Sequence, residues 1–259
     1  MKIISSLKNT VVITFLIISG CSGLKEVESN IPKDQVIIDG IQSEWEGKLN
    51  FDTKLKVAVG FMNDYGNLYI CLTTGDRSNI MKILRLGVTI WLEPLNGKKI
   101  GIKYPLTGTE PFLEERPGNI EENPDDRFLK MISRFNELSI VNEDDYPLYL
   151  LRSDDEQNIK AKIGLTQGRM VYEIKIPLST NRTAKYFVEA SPPEAIRIGI
   201  ETNQFKMESP SRKPTGRMNT GGGQGGGRRQ GGMQGGRNPE MNMDPLELWF
   251  DIKLLGSDV

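Results

Sequence analysis

Apolar residues recur at every second position through most of the chain, the period of strands that bury one face. In Leu55-Lys56-Val57-Ala58-Val59-Gly60-Phe61 the apolar set falls on Leu55, Val57, Val59 and Phe61. After a turn at Asn63-Asp64-Tyr65-Gly66-Asn67, Leu68, Ile70 and Leu72 alternate with Tyr69, Cys71 and Thr73, and further on Val88, Ile90 and Leu92 alternate with Thr89, Trp91 and Glu93. Ile100 and Ile102 follow the Asn96-Gly97 pair, a strong hairpin signal. The pattern resumes at Leu148-Tyr149-Leu150-Leu151, at Ile159, Ala161, Ile163 and Leu165, and at Met170, Tyr172, Ile174 and Ile176, with Gln167-Gly168 as the turn between the last two. It closes with Ile196, Ile198 and Ile200, then Leu246, Leu248, Phe250, Ile252 and Leu254. About ten short alternating strands separated by turn residues predict an all-β fold, an antiparallel β-sandwich rather than a βαβ architecture.

One amphipathic helix interrupts the strands. Phe128, Leu129, Met131, Ile132 and Phe135 share a face at helical spacing, Asp125 or Asp126 can cap it, and the face is expected to pack on the sandwich. Ser78 to Leu86 reads as a short helix or an irregular loop, and Thr107 to Pro124, rich in glycine, proline and acids, as a surface loop. Residues 210–242 form a glycine-rich insertion in which Gly221 to Gly236 is broken mainly by glutamine and arginine. Nothing there can build a core, so the insertion is expected to be disordered. Arg217, Arg228, Arg229 and Arg237 resemble the arginine–glycine segments that bind nucleic acid, but export of the chain argues against that partner.

Export is read from the amino terminus. Lys2 and Lys8 precede the apolar run Val11 to Ile18, too short for a permanent membrane span, and Ser19-Gly20-Cys21 follows. Residues 1–20 thus read as a signal peptide, and Ile18-Ser19-Gly20-Cys21 resembles the lipobox of bacterial lipoproteins. That resemblance implies cleavage before Cys21, acyl chains on it and anchorage in the cell envelope, at the outer membrane. Polar residues 21–34 then read as a tether, and 35–255 as one domain.

Composition removes several chemistries. The chain has 33 Lys and Arg against 34 Asp and Glu, a formal net charge of −1 that names no nucleic-acid partner, and no histidine. Serine–histidine and cysteine–histidine catalysis are therefore excluded, together with the commonest zinc, copper and haem ligand. Cys71 is the single cysteine besides Cys21, so no disulfide framework is expected and Cys71 should be a free thiol. Asn142-Glu143-Asp144-Asp145 and Asp154-Asp155-Glu156 are the acidic clusters a calcium ion would favour, and neither follows a known calcium-loop spacing. The expectation is a non-enzymatic protein with no catalytic residues, no resident metal and no cofactor.

The segment Ile38-Asp39-Gly40-Ile41-Gln42-Ser43-Glu44-Trp45 has the form I-D-G-x-x-x-E-W, and the strand–turn–strand of Lys56 to Leu72 follows it. Together they resemble the opening of family 9 carbohydrate-binding modules and their DOMON-type relatives. The resemblance implies a β-sandwich that binds an oligosaccharide, and among relatives calcium. Sugar faces stack on aromatic rings while carboxylates bond hydroxyls. Trp45 belongs to the opening motif and is expected in the core. Trp91 and Trp249 fall on the polar side of their strands, beside Glu93 and Asp251, which makes Trp91, Trp249, Glu93 and Asp251 the candidate ligand-binding residues. The other reading is a structural or assembly lipoprotein whose sandwich binds another envelope protein.

Overall fold

The computed structural model describes residues 25–106, 124–142, 144, 146–203 and 244–256. Two sheets face each other across a shared core. The larger contains β1 (Lys25–Glu28), β5 (Val88–Pro94), β6 (Ile100–Tyr104), β7 (Glu137–Val141), β8 (Pro147–Arg152), β11 (Ala195–Glu201) and β12 (Glu247–Lys253) in the order β1-β12-β11-β5-β6-β7-β8. The smaller contains β2 (Asn50–Asp52), β3 (Val57–Asn63), β4 (Asn67–Thr74), β9 (Lys160–Thr166) and β10 (Arg169–Pro177) in the order β2-β3-β4-β10-β9. All pairs are antiparallel except β1 with β12. The fold is an all-β sandwich, and the apolar period of each strand supplies the inner faces: Ile90, Leu92, Ile198, Ile200, Phe250 and Ile252 meet Val59, Phe61, Ile70, Leu72, Tyr172 and Ile174.

Two helices connect strands. α1 (Arg77–Leu86) resolves the choice between helix and loop, with Asp76 accepting hydrogen bonds from the Ser78 and Asn79 amides as its cap. α2 (Pro124–Ile132) buries Ile132 and packs Phe128 and Met131 against the core, while Leu129 stays exposed. Gln167 and Gly168 both have positive φ, 50° and 74°, as a two-residue hairpin turn between β9 and β10 requires. The signal-peptide residues, Cys21 and the 210–242 insertion lie outside the described residues.

Three expectations are corrected. The first concerns the stretch read as a tether, residues 21–34, which contributes β1. Strand pairing there needs no apolar period, because only Val27 turns toward the core and the backbone of β12 supplies the partner. Ser29 extends the lock: its hydroxyl donates to Asn63, whose side chain also exchanges hydrogen bonds with the Leu255 backbone at 2.9 Å each way. The second concerns β3, read as burying one face; all seven of its residues are buried. The third concerns strand number: among the described residues there are twelve strands where about ten were expected, because β1 and the short β2 carry too few apolar residues to be recognised and β7, with Leu138, Ile140 and Val141, was not read as a strand.

The reason both faces of β3 are buried is the I-D-G-x-x-x-E-W segment. It lies on the outer side of the smaller sheet, where Val36, Ile38 and Trp45 form a second cluster with Met62, Tyr69, Cys71 and Val171. Glu173 of β10 sits beneath it, 0% exposed, and accepts hydrogen bonds from the Gly40 amide at 2.7 Å, the Asp39 amide at 3.2 Å and the Trp45 indole at 2.7 Å. Gly40 has φ +84° and rests on the backbone of Gly164 in β9, where a Cβ would come within 2.7 Å. The conspicuous residues of the motif thus serve the fold, since Gly40 permits the close approach and Trp45 fills the space above Gly60. Burial pushes the Cys71 thiol well above its ordinary value and leaves it an unreactive part of this cluster.

Candidate functional site

The outer face of the larger sheet carries the four candidate residues. β11 runs between β5 and β12, and Gly199 is the register partner of both Trp91 and Trp249. Two residues along the strand, Arg197 is the partner of both Glu93 and Asp251. Strand alternation therefore places all four on one side, and antiparallel register draws them into two adjacent rows.

The aromatic row depends on glycine. A Cβ on Gly199 would fall 2.6 Å from the Trp249 ring, and one on Gly101 of β6 would fall 2.9 Å from the Trp91 ring. Each indole lies down over a neighbouring glycine and presents a face rather than an edge. The Trp249 indole is fixed further by donating to Glu247 Oε1 at 3.1 Å. Alternation alone would display both rings. Trp249 is half-buried, but Trp91 is only 7% exposed, its ring packed down onto Gly101. Lys99 Nζ stands 5.1 Å from the Trp91 ring centroid and 5.7 Å from that of Trp249, a cation shared by two π faces.

The charged row is held by ion pairs. Arg197 Nε donates to Asp251 Oδ1 at 2.9 Å, and its Nη1 lies 3.9 Å from Glu93 Oε2. Glu93 also takes Lys99 Nζ at 3.0 Å. The hydrogen bond with Asp251, then its charge, raises the Arg197 guanidinium above its ordinary value, so it stays a cation at any working pH. Beside this row a groove of about 750 Å³ runs along β1, β12, β11 and the end of β5, lined by Glu26, Glu28, Glu93, Arg197, Asp251 and Lys253 among others.

Sequence reasoning selected Trp91, Trp249, Glu93 and Asp251 but passed over Arg197, Lys99 and Glu26. Arg197 was detectable as a charge between Ile196 and Ile198. Glu26 was not, since nothing in the Lys25–Glu28 tetrapeptide announces a strand. Of the acidic stretches considered for calcium, Glu143 and Asp145 lie outside the described residues. Asp155 is a turn residue accepting from the Gln157 and Asn158 amides, Asp154 pairs with Arg152 at 2.9 Å, and no cluster of three or more Asp, Glu, Cys or His side chains fit to hold a metal occurs among the described residues.

No protein-family model and no curated protein matches the chain. Solved structures do. A family 9 carbohydrate-binding module from Caldicellulosiruptor kristjanssonii in complex with glucose is 13% identical, with a TM-score of 0.35, covering 69% of this chain and 78% of that one. The same type of module in complex with cellotriose is also 13% identical, with a TM-score of 0.33 over 68% of this chain and 75% of that one. A candidate carbohydrate-binding protein from Bacteroides uniformis is 7% identical, with a TM-score of 0.36, covering 69% and 83%. Among the described residues no helix is long and apolar enough to cross a membrane.

Proposed function

We propose that this chain is a non-catalytic, lipid-anchored protein of the cell envelope whose sandwich binds carbohydrate on the outer face of its larger sheet. The observation that carries the binding reading is the accessible Trp249 ring laid over Gly199, next to a groove with carboxylates and a guanidinium in ion-paired positions. Flat indole faces stack on the C–H face of a pyranose, and fixed carboxylates and guanidinium N–H groups bond its hydroxyls. Trp249 is the accessible ring, and its truncation removes little from the core. Trp249→Ala is expected to weaken oligosaccharide binding by roughly 1–3 kcal/mol with little change in melting temperature, measured by isothermal titration against a glycan panel. Unchanged affinity in that variant would remove Trp249 from the site.

The anchoring part of the reading rests on Lys2, Lys8, the Val11–Ile18 run and Ser19-Gly20-Cys21. Several acyl chains at Cys21, at about 0.8 kcal/mol for each buried methylene, make attachment effectively permanent. Cys21→Ala is expected to move the protein from the membrane to the soluble fraction, and retention of that variant after a high-salt wash would overturn lipid anchoring. A second reading, an assembly lipoprotein that docks another envelope protein, is favoured by β8, an edge strand on which Leu148, Tyr149 and Leu150 are all exposed. The glycan panel separates the two, since silence toward every sugar favours docking.

A further inference from the structure

On the carbohydrate reading above, the charges of this face narrow the ligand further. Register sets Glu26 of β1 directly beside Asp251 of β12, Asp251 beside Arg197, and Arg197 beside Glu93. Arg197 serves both Asp251 and Glu93, whereas Glu26 has no ion-pair partner among the described residues. Like charges side by side across a strand pair are unfavourable unless something cationic is shared between them. Along the groove Glu28 is paired with Lys253 at 3.5 Å, Asp251 with Arg197, and Glu93 with Lys99 and Arg197, which leaves Glu26, beside Asp251, as the carboxylate without a cation of its own.

A second, independent observation shows which cation the surface suits. The protein's own alkylammonium, Lys99 Nζ, already lies over both tryptophan rings while bonding Glu93. Aromatic faces bordered by carboxylates hold a primary ammonium better than a hydroxyl, because the ring quadrupole and the carboxylate both favour positive charge. We infer that the face binds glycans bearing free primary amines, with a sugar ring stacked on Trp249 and its ammonium between Glu26 and Asp251. Trp249 and Asp251 are two residues apart on one strand, about 7 Å, the span from the centre of a stacked sugar to a charged substituent and its acceptor. The carboxylates of this groove repel anionic sugars from the same place.

The test is isothermal titration of the full chain with a β-1,4-linked glucosamine tetramer, its fully N-acetylated counterpart and cellotetraose. At about pH 6 the amine form is expected to bind at least about tenfold more tightly than either neutral tetramer, the gain of one charge-assisted contact. That preference should vanish near pH 9, where the sugar amines are uncharged, and should be lost in Glu26→Gln, an exposed strand residue whose replacement leaves the fold intact. Equal binding of all three tetramers would overturn the amine assignment and leave the carbohydrate reading standing. Binding of none would overturn both. An amine preference that survives in Glu26→Gln would place the charge recognition elsewhere and likewise overturn it.

Discussion

Trp45→Ala is expected to lower the stability of the domain by about 3–5 kcal/mol, the range for truncating a fully buried aromatic. The ring is 0% exposed, packs above Gly60 and closes the outer side of the smaller sheet. Its removal does more than open a cavity, because the indole donates to Glu173 Oε1 at 2.7 Å and Glu173 is itself buried. Trp45→Phe separates the two losses: it keeps most of the apolar volume and deletes the donor, with an expected cost of about 1.5–3 kcal/mol above pH 7, where the Glu173 acceptor is charged. Equilibrium denaturation in urea reads both. A Trp45→Ala variant within about 1 kcal/mol of wild type, at an unchanged slope, would mean the segment contributes nothing to the fold.

Stability is expected to fall as pH rises from about 4.5 to 7, on the order of 3 kcal/mol in total. The cause is Glu173, whose carboxyl is pushed up to about 7 from its ordinary 4.5. Burial raises it most, the hydrogen bonds from Gly40 and Trp45 pull it down, and the nearby Asp39 charge raises it again. In the unfolded chain the same carboxyl ionises near 4.5, so between 4.5 and 7 the native state holds more protons than the unfolded state. Its contribution is complete below the lower value, declines through the window, and is gone above the higher one. The window is clean. The chain has no histidine, and the carboxyls held below their ordinary values, Asp52 and Asp76 beside lysines, Asp154 beside Arg152 and Asp155 beside Asn158, lose their contributions only in more acid solution. Melting temperatures of wild type and Glu173→Gln across roughly pH 4.5–7.5 decide it, since glutamine cannot ionise and its curve should be nearly flat over that range. A wild-type protein that gains stability across the window would show that the three donated N–H bonds outweigh burial.

Both predictions concern a part of the molecule whose meaning changed between chain and fold. The I-D-G-x-x-x-E-W pattern marks the opening of a carbohydrate-binding-like sandwich, yet its residues serve the folded core: they cap the smaller sheet and satisfy Glu173. A glutamate within Met170-Val171-Tyr172-Glu173-Ile174 reads in sequence as a solvent-facing residue, since alternation assigns it to the face opposite Tyr172 and Ile174. That face is buried, and only a segment more than a hundred residues away in the chain could make it so.

Period-2 alternation was enough by itself to establish an all-β sandwich, to assign the inner face of most strands, and to put Trp91, Trp249, Glu93 and Asp251 on the opposite face, because side-chain direction along a strand is a local property. The amphipathic helix and the Gln167-Gly168 turn were legible for the same reason. What alternation cannot supply is the partner of each strand. Bringing Trp91 and Trp249 to either side of Gly199, and Glu93 and Asp251 to either side of Arg197, required β11 to lie between β12 and β5, whose residues stand over a hundred positions before their β11 partners. Tertiary structure alone also turned Lys25–Glu28 from a tether into the strand that sets Glu26 beside Asp251, since a backbone ladder can recruit a polar tetrapeptide that carries no pattern of its own.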